Sequence, residues 1–177
     1  MTDVRLLAPL LAVALSPACS PARAAEPTTS SCVRDDPRVG SRAFGFSLPG
    51  TDGKTVQFDG TDQVTLLVFW ASWCKPCAEE LPAYEAMMQR IGGRRAALTL
   101  VSTDENRETA ADALRRFGVR TRSAYAGEAE FNRYLSPTLP WTIVVDSKQT
   151  IRAVHRGFEP ACIDEIERSI VALTREQ

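Results

Sequence analysis

The chain predicts an α/β fold with a mixed central sheet, on three observations. Val64 to Ala71 (VTLLVFWA) and Ala97 to Ser102 (ALTLVS) are apolar runs without a polar side, as in strands covered on both faces. Each is followed by a segment whose apolar residues recur at three-and-four spacing, the mark of a helix laying one stripe on a core. Finally, Trp141 to Asp146 and Thr150 to His155 are joined only by Ser147-Lys148-Gln149, so these two strands must run antiparallel.

In chain order, the first segment reads as an export leader. Arg5 precedes an apolar stretch from Leu6 to Leu15, and small residues follow. Two processing routes are open. Cleavage after Ala24 fits the small-x-small run Ala22-Arg23-Ala24, whereas Leu15-Ser16-Pro17-Ala18-Cys19 is similar to a bacterial lipobox, in which Cys19 would carry a lipid. Residues 25–38, rich in Pro, Thr, Ser and Arg, read as an irregular arm or tether, and residues 39–177 as one domain. Phe46 to Leu48 and Thr55 to Phe58 flank Asp52-Gly53, the pattern of a β-hairpin. The Val64 strand then leads into a helix from Cys77 that contains Pro82, where a lost backbone hydrogen bond predicts a bend. After Gly92-Gly93 come the Ala97 strand and a helix over Glu108 to Phe117 closed by Gly118. A short strand is expected within Val119 to Ala126 and a short helix over Glu128 to Leu135. The antiparallel pair follows, and Pro160 opens a last helix running to about Thr174.

With 177 residues, 44% hydrophobic and 24% charged, the chain can bury a sizeable core. A formal net charge of -1 gives no basic footprint, which sets nucleic acid aside as a partner. No apolar run reaches membrane-spanning length.

The chemistry concentrates at Trp73-Cys74-Lys75-Pro76-Cys77. A cysteine at a helix N-terminus faces unpaired N–H groups and the positive end of the macrodipole, which favour its thiolate. Cys74 is therefore the candidate nucleophile, and Lys75 should favour the thiolate further, making the couple more oxidising. A purely structural role for the pair is disfavoured, because a bridge closing so short a loop removes little chain entropy.

The run Trp73-Cys74-Lys75-Pro76-Cys77-Ala78-Glu79-Glu80-Leu81-Pro82 resembles the WCxPCxxExP pattern of exported thioredoxin-like thiol-disulfide oxidoreductases of the TlpA/ResA family. Leu139-Pro140 ahead of a strand is similar to that family's cis-proline site, and the likeness covers about Val39 to Thr174. It implies a thioredoxin-like fold with an N-terminal β-hairpin and a central strand-helix insertion. It also implies that Cys74 is the exposed nucleophile, Cys77 the buried resolving thiol and Glu80 the carboxyl that exchanges a proton with Cys77. Trp73, Leu139 and Pro140 would dock the client chain, with Leu139 pairing like a strand edge. Trp141 departs from the pattern, where smaller hydroxyl residues are common, so a bulkier docking surface is expected. The peroxidases that share a hairpin-then-strand opening carry Pro and Thr ahead of their reactive cysteine, and Trp70-Ala71-Ser72-Trp73 lacks both.

Cys32 and Cys162 remain after export. In an oxidising compartment an even count suggests pairing, against the alternative of two separate thiols. His155, the lone histidine, lies far in sequence from the cysteine pair and reads as structural. The expected function is an exported, periplasmic reductase of disulfides in specific client proteins, those of cytochrome c or copper-oxidase assembly by resemblance. It would be recharged by a membrane-bound or exported thiol reductant, and no cofactor or metal is expected beyond the cysteine pair. The alternatives are a copper(I) chaperone using Cys74 and Cys77 as soft ligands, or a disulfide oxidase or isomerase.

Overall fold

The computed structural model describes residues 32, 35–59, 62–93, 95–126 and 138–176. The leader with Cys19 and Ala24, most of the arm, and the helix expected over Glu128 to Leu135 lie outside the described residues.

The sheet is built on β3 (Val64–Trp70), every residue of which is buried. It pairs in parallel with β4 (Ala96–Ser102) on one side and antiparallel with β6 (Trp141–Val145) on the other. β5 (Ser123–Tyr125) and β7 (Ile151–Arg156) complete the mixed five-stranded order β5-β4-β3-β6-β7. The strand expected within Val119 to Ala126 is thus only three residues long. β1 (Phe46–Pro49) and β2 (Thr55–Phe58) form the separate hairpin. Its turn needs glycine at position 50, where a Cβ would meet the Lys54 carbonyl at 2.5 Å.

Alternation along β3 and β6 divides the core into two layers. Val64, Leu66, Val68, Trp70 and Val144 face the helices, whereas Leu67, Phe69, Trp141, Ile143 and Val145 face the hairpin residues Phe46 and Phe58. The helical layer holds α1 (Cys77–Ile91), α2 (Arg107–Phe117) and α3 (Ile163–Arg175). α1 continues through Pro82, although that residue cannot donate to the Ala78 carbonyl. Asn106 caps α2 by accepting from the Glu108 and Thr109 N–H groups, and Gly118 ends it at φ 73°. The last helix departs from expectation at its start. Residues Pro160–Cys162 form a 3-10 turn, and the α-helix begins at Ile163.

The described end of the arm, residues 35–38, is irregular and packs on the domain. Asp36, with a fully buried side chain, accepts from Arg38 Nη2 at 2.5 Å and from Arg156 Nη2 at 2.7 Å. The Arg38 hydrogen bonds hold its carboxyl well below the usual carboxylate range, against a burial cost acting the other way. Beyond it, Gly40 N–H donates to the Ile151 carbonyl (2.8 Å) and Ile151 N–H to the Ser41 carbonyl (2.9 Å). Residues 35–43 are therefore part of the domain. The arginine partners, invisible as a pair in sequence, are what make an acidic arm residue stable inside. On the opposite side, Thr51 N–H donates to the Ser123 carbonyl at 2.9 Å, so the hairpin turn sits against β5.

Candidate active site

Cys74 and Cys77 are joined by a disulfide with their Cα atoms 5.3 Å apart. The positions differ from the sequence reading in one detail. Cys77 is the first residue of α1, while Cys74 sits in the turn before it, with Cys77 N–H donating to the Cys74 carbonyl at 3.1 Å. Proline at 76, with no N–H and a preset φ of -64°, suits the position just ahead of that first residue. A second difference concerns access. Cys74, expected to be exposed, retains only 4% exposure in the disulfide form, because it packs into the helical core layer beside the fully buried Cys77. Trp73 instead stands 72% exposed, while Trp70 is fully buried and donates its Nε1–H to Ser123 Oγ at 3.0 Å.

The loop carrying Cys74 is anchored by a residue the sequence reading missed. Asp104, at the carboxyl end of β4 and 3% exposed, accepts from Ser72 N–H (3.0 Å), Ser72 Oγ (2.6 Å) and Ser102 Oγ (2.8 Å). Its position beyond a parallel strand's carboxyl end, where α/β sheets place their sites, is the signal that could have found it. Asp104→Ala leaves these three donors without their acceptor and should cost about 1–3 kcal/mol in urea unfolding, with a slower disulfide exchange from the loosened loop.

Pro140 reaches the site from β6. Phe69 is the register partner of Trp141, so Pro140 lies beside the end of β3 that leads into the cysteines. The Leu139–Pro140 peptide is cis. Leu139 is half-buried against both core layers, and the Pro140 carbonyl accepts from Gly157 N–H at 2.9 Å. The bulkier docking surface expected from Trp141 is absent. Strand alternation turns that ring to the hairpin side, fully buried, 5.3 Å from Phe69 and with the Arg38 guanidinium 4.5 Å above it. Thr142, the next residue, turns to the helix side of the sheet and is fully buried.

Glu80 lies one turn beyond Cys77 on α1 and is fully buried. Its Oε1 accepts from Thr142 Oγ1 at 3.2 Å, and no hydrogen-bond donor among the described residues reaches its Oε2. Burial pushes its pKa up to about 8, opposed by hydrogen bonds from Tyr84 and Thr142. A carboxyl kept protonated this far up the pH range, one turn from Cys77, has the chemistry to exchange a proton with that residue's thiol once the disulfide is reduced.

Cys32 and Cys162 form a second disulfide, tying the arm to the 3-10 turn before α3. His155, its pKa lowered by burial, donates its Nδ1–H to the Cys32 carbonyl at 2.6 Å.

Comparison with known proteins gives a consistent grouping. A family model described as AhpC/TSA matches residues 39–154. The thioredoxin-like protein YneN of Bacillus subtilis is 31% identical over 121 residues, covering 67% of this chain and 71% of that protein. Sporulation thiol-disulfide oxidoreductase A of the same organism is 22% identical over 116 residues, covering 63% and 70%. Among solved structures, a Chlorobium tepidum protein assigned as thiol:disulfide interchange protein DsbE superposes with a TM-score of 0.71 at 28% identity, covering 77% of this chain and 97% of that one.

Proposed function

The chain belongs to the AhpC/TSA family, and from that membership we propose an exported thiol-disulfide oxidoreductase that reduces disulfides in client proteins, with Cys74 attacking and Cys77 resolving. The observation that carries this reading is the Cys74–Cys77 disulfide at the start of α1 with a buried carboxyl one turn away. A reduced Cys74 attacks the client disulfide, and a mixed disulfide forms as one client thiolate leaves. Cys77 passes its proton to Glu80 and attacks the Cys74 sulfur, releasing the second client thiolate. Trp73, Leu139 and Pro140 supply the docking surface. The clients are exported proteins whose cysteines must stay reduced, those awaiting haem or copper being the class that the likeness suggests. An exported or membrane-bound thiol reductant restores the pair, and the protein works in the periplasm after cleavage near Ala24 or lipidation at Cys19. No helix among the described residues is long and apolar enough to cross a membrane.

The reduction potential of the Cys74/Cys77 couple, measured against glutathione, tests the direction of electron flow. A value near thioredoxin's, about -270 mV, supports a reductase, and a value near -120 mV makes the protein an oxidase.

Glu80 adds a pH signature. Its folded-state pKa of about 8 lies above the ordinary 4.5, so the disulfide form binds a proton that the unfolded chain has released. The associated stability is fully present below about pH 4.5 and is lost as pH rises through about 8. Glu80→Gln should remove that slope, read as urea midpoints at pH 6 and pH 9 that differ in the parent protein and converge in the variant. The same substitution should slow the resolving step, because Cys77 loses its proton acceptor.

A further inference from the structure

We propose that Tyr84 and a small chamber behind it carry the proton between Glu80 and solvent, so that the site can discharge while a client covers the cysteines. This rests on reading Glu80 as the group that takes the Cys77 proton.

In the resolving step the client is disulfide-bonded to Cys74 and lies over the mouth of the site. The Cys77 sulfur bonds to the Cys74 sulfur, the Cys74–client bond breaks, and its electron pair leaves on the client thiolate. The pair is oxidised, the client is reduced, and the Cys77 proton stays on Glu80. Cys77 and Glu80 are both fully buried, and the front is closed. As pH rises through about 8 the disulfide form gives up this proton, and with a client over the cysteines the way out is by the back.

Tyr84 is one turn beyond Glu80 on the same face of α1 and is 2% exposed. That spacing sets its ring beside Glu80, whose Oε1 accepts from Thr142 Oγ1 at 3.2 Å. The same side chain lines a cavity of about 20 Å³ together with Cys32, His155, Arg156, Glu159 and Cys162. That volume holds one water, and Tyr84, His155 and Glu159 supply its polar partners. His155 is the register partner of Thr142, which puts both on the helix side of the sheet. Because His155 donates Nδ1–H to the Cys32 carbonyl, Nε2 is its acceptor in the neutral ring. Burial favours that neutral form, and the charge of Glu165 acts on it the other way. Glu159 is exposed and opens the chamber to bulk, with Arg156 the cation beside it. Glu80 thus hands its proton to the Tyr84 oxygen while the Tyr84 proton passes to the chamber water. The hydroxyl is restored, and one proton leaves past Glu159.

The full mature chain, reduced and mixed with a short peptide disulfide in stopped flow, gives a first phase (mixed disulfide) and a second (resolution). Tyr84→Phe should slow the second phase by about tenfold or more, within the range of general acid–base effects, and leave the first as it is. Its pH midpoint should stay in place, because a route changes the rate and not the group that titrates. The double variant with Glu80→Gln should be no slower than Glu80→Gln alone. In the parent protein, second-phase rates in H₂O/D₂O mixtures should curve as two protons in flight require. An unchanged second phase in Tyr84→Phe, additive effects in the double variant, or a straight line in the isotope mixtures overturns the relay. A parent protein with no second phase overturns the reading of the site, and the relay with it.

Discussion

Cys74→Ser abolishes disulfide exchange, leaving only the rate of free thiols in the same buffer. The attack needs a thiolate, and a serine hydroxyl stays protonated in the same position. Cys77→Ser fails one step later. Cys74 still attacks, but nothing displaces the client, so the mixed disulfide accumulates. Intact mass shows the two outcomes directly, as a protein of unchanged mass for Cys74→Ser and as protein plus client for Cys77→Ser. If Cys77→Ser exchanges freely while Cys74→Ser traps the client, the roles of the two cysteines are reversed. Trapping also offers a route to the natural clients, since the covalent complex survives non-reducing electrophoresis.

Loss of the Cys32–Cys162 bridge is the second large effect. The two cysteines are 130 residues apart in sequence, so reduction frees a long loop in the unfolded chain. Replacing both with alanine should cost about 2–5 kcal/mol, read as a lower urea midpoint with a steeper slope, because the freed chain exposes more surface when it unfolds. In thermal unfolding this corresponds to a fall of roughly 5–15 °C for a domain of this size. The cost has a local component, because the Cys32 carbonyl is the acceptor for buried His155. A midpoint that does not move would mean that the buried Asp36 cluster alone holds the arm.

Much of this architecture was legible in the chain. The unbroken apolar run of β3 has no polar face to misplace, and a three-residue connection between β6 and β7 admits one relative direction. The cysteine motif likewise carries its own spacing, so Cys74, Cys77 and Glu80 fall on one helix start whatever the rest of the chain does. What sequence could not supply was the facing of single side chains. Trp141 stands next to the cis-proline in sequence but on the far side of the sheet, and Thr142 turns to the helix side, buried against Glu80. Tyr84 shares the buried stripe of α1 with Leu81 and Met87, and a stripe of apolar spacing gives no sign that it stands one turn from a buried carboxyl. Nothing in the spacing of the chain singles out Asp104 or Asp36. Their burial depends on partners contributed by Ser72, Arg38 and Arg156, and such meetings leave no periodic trace.

The hydrogen bonds that seat the arm along β7 and the hairpin turn against β5 bear on the company this protein keeps. A protein that handles exported chains meets them partly unfolded, with unpaired backbone that adds readily to any open strand. Here Gly40, Ser41 and Ala43 bond to the Gln149–Ile151 stretch at one margin of the sheet, and Thr51 bonds to Ser123 at the other. These contacts occupy part of each margin, the start of β7 and the start of β5, with backbone of the same chain, and there they act as guards against adhesion.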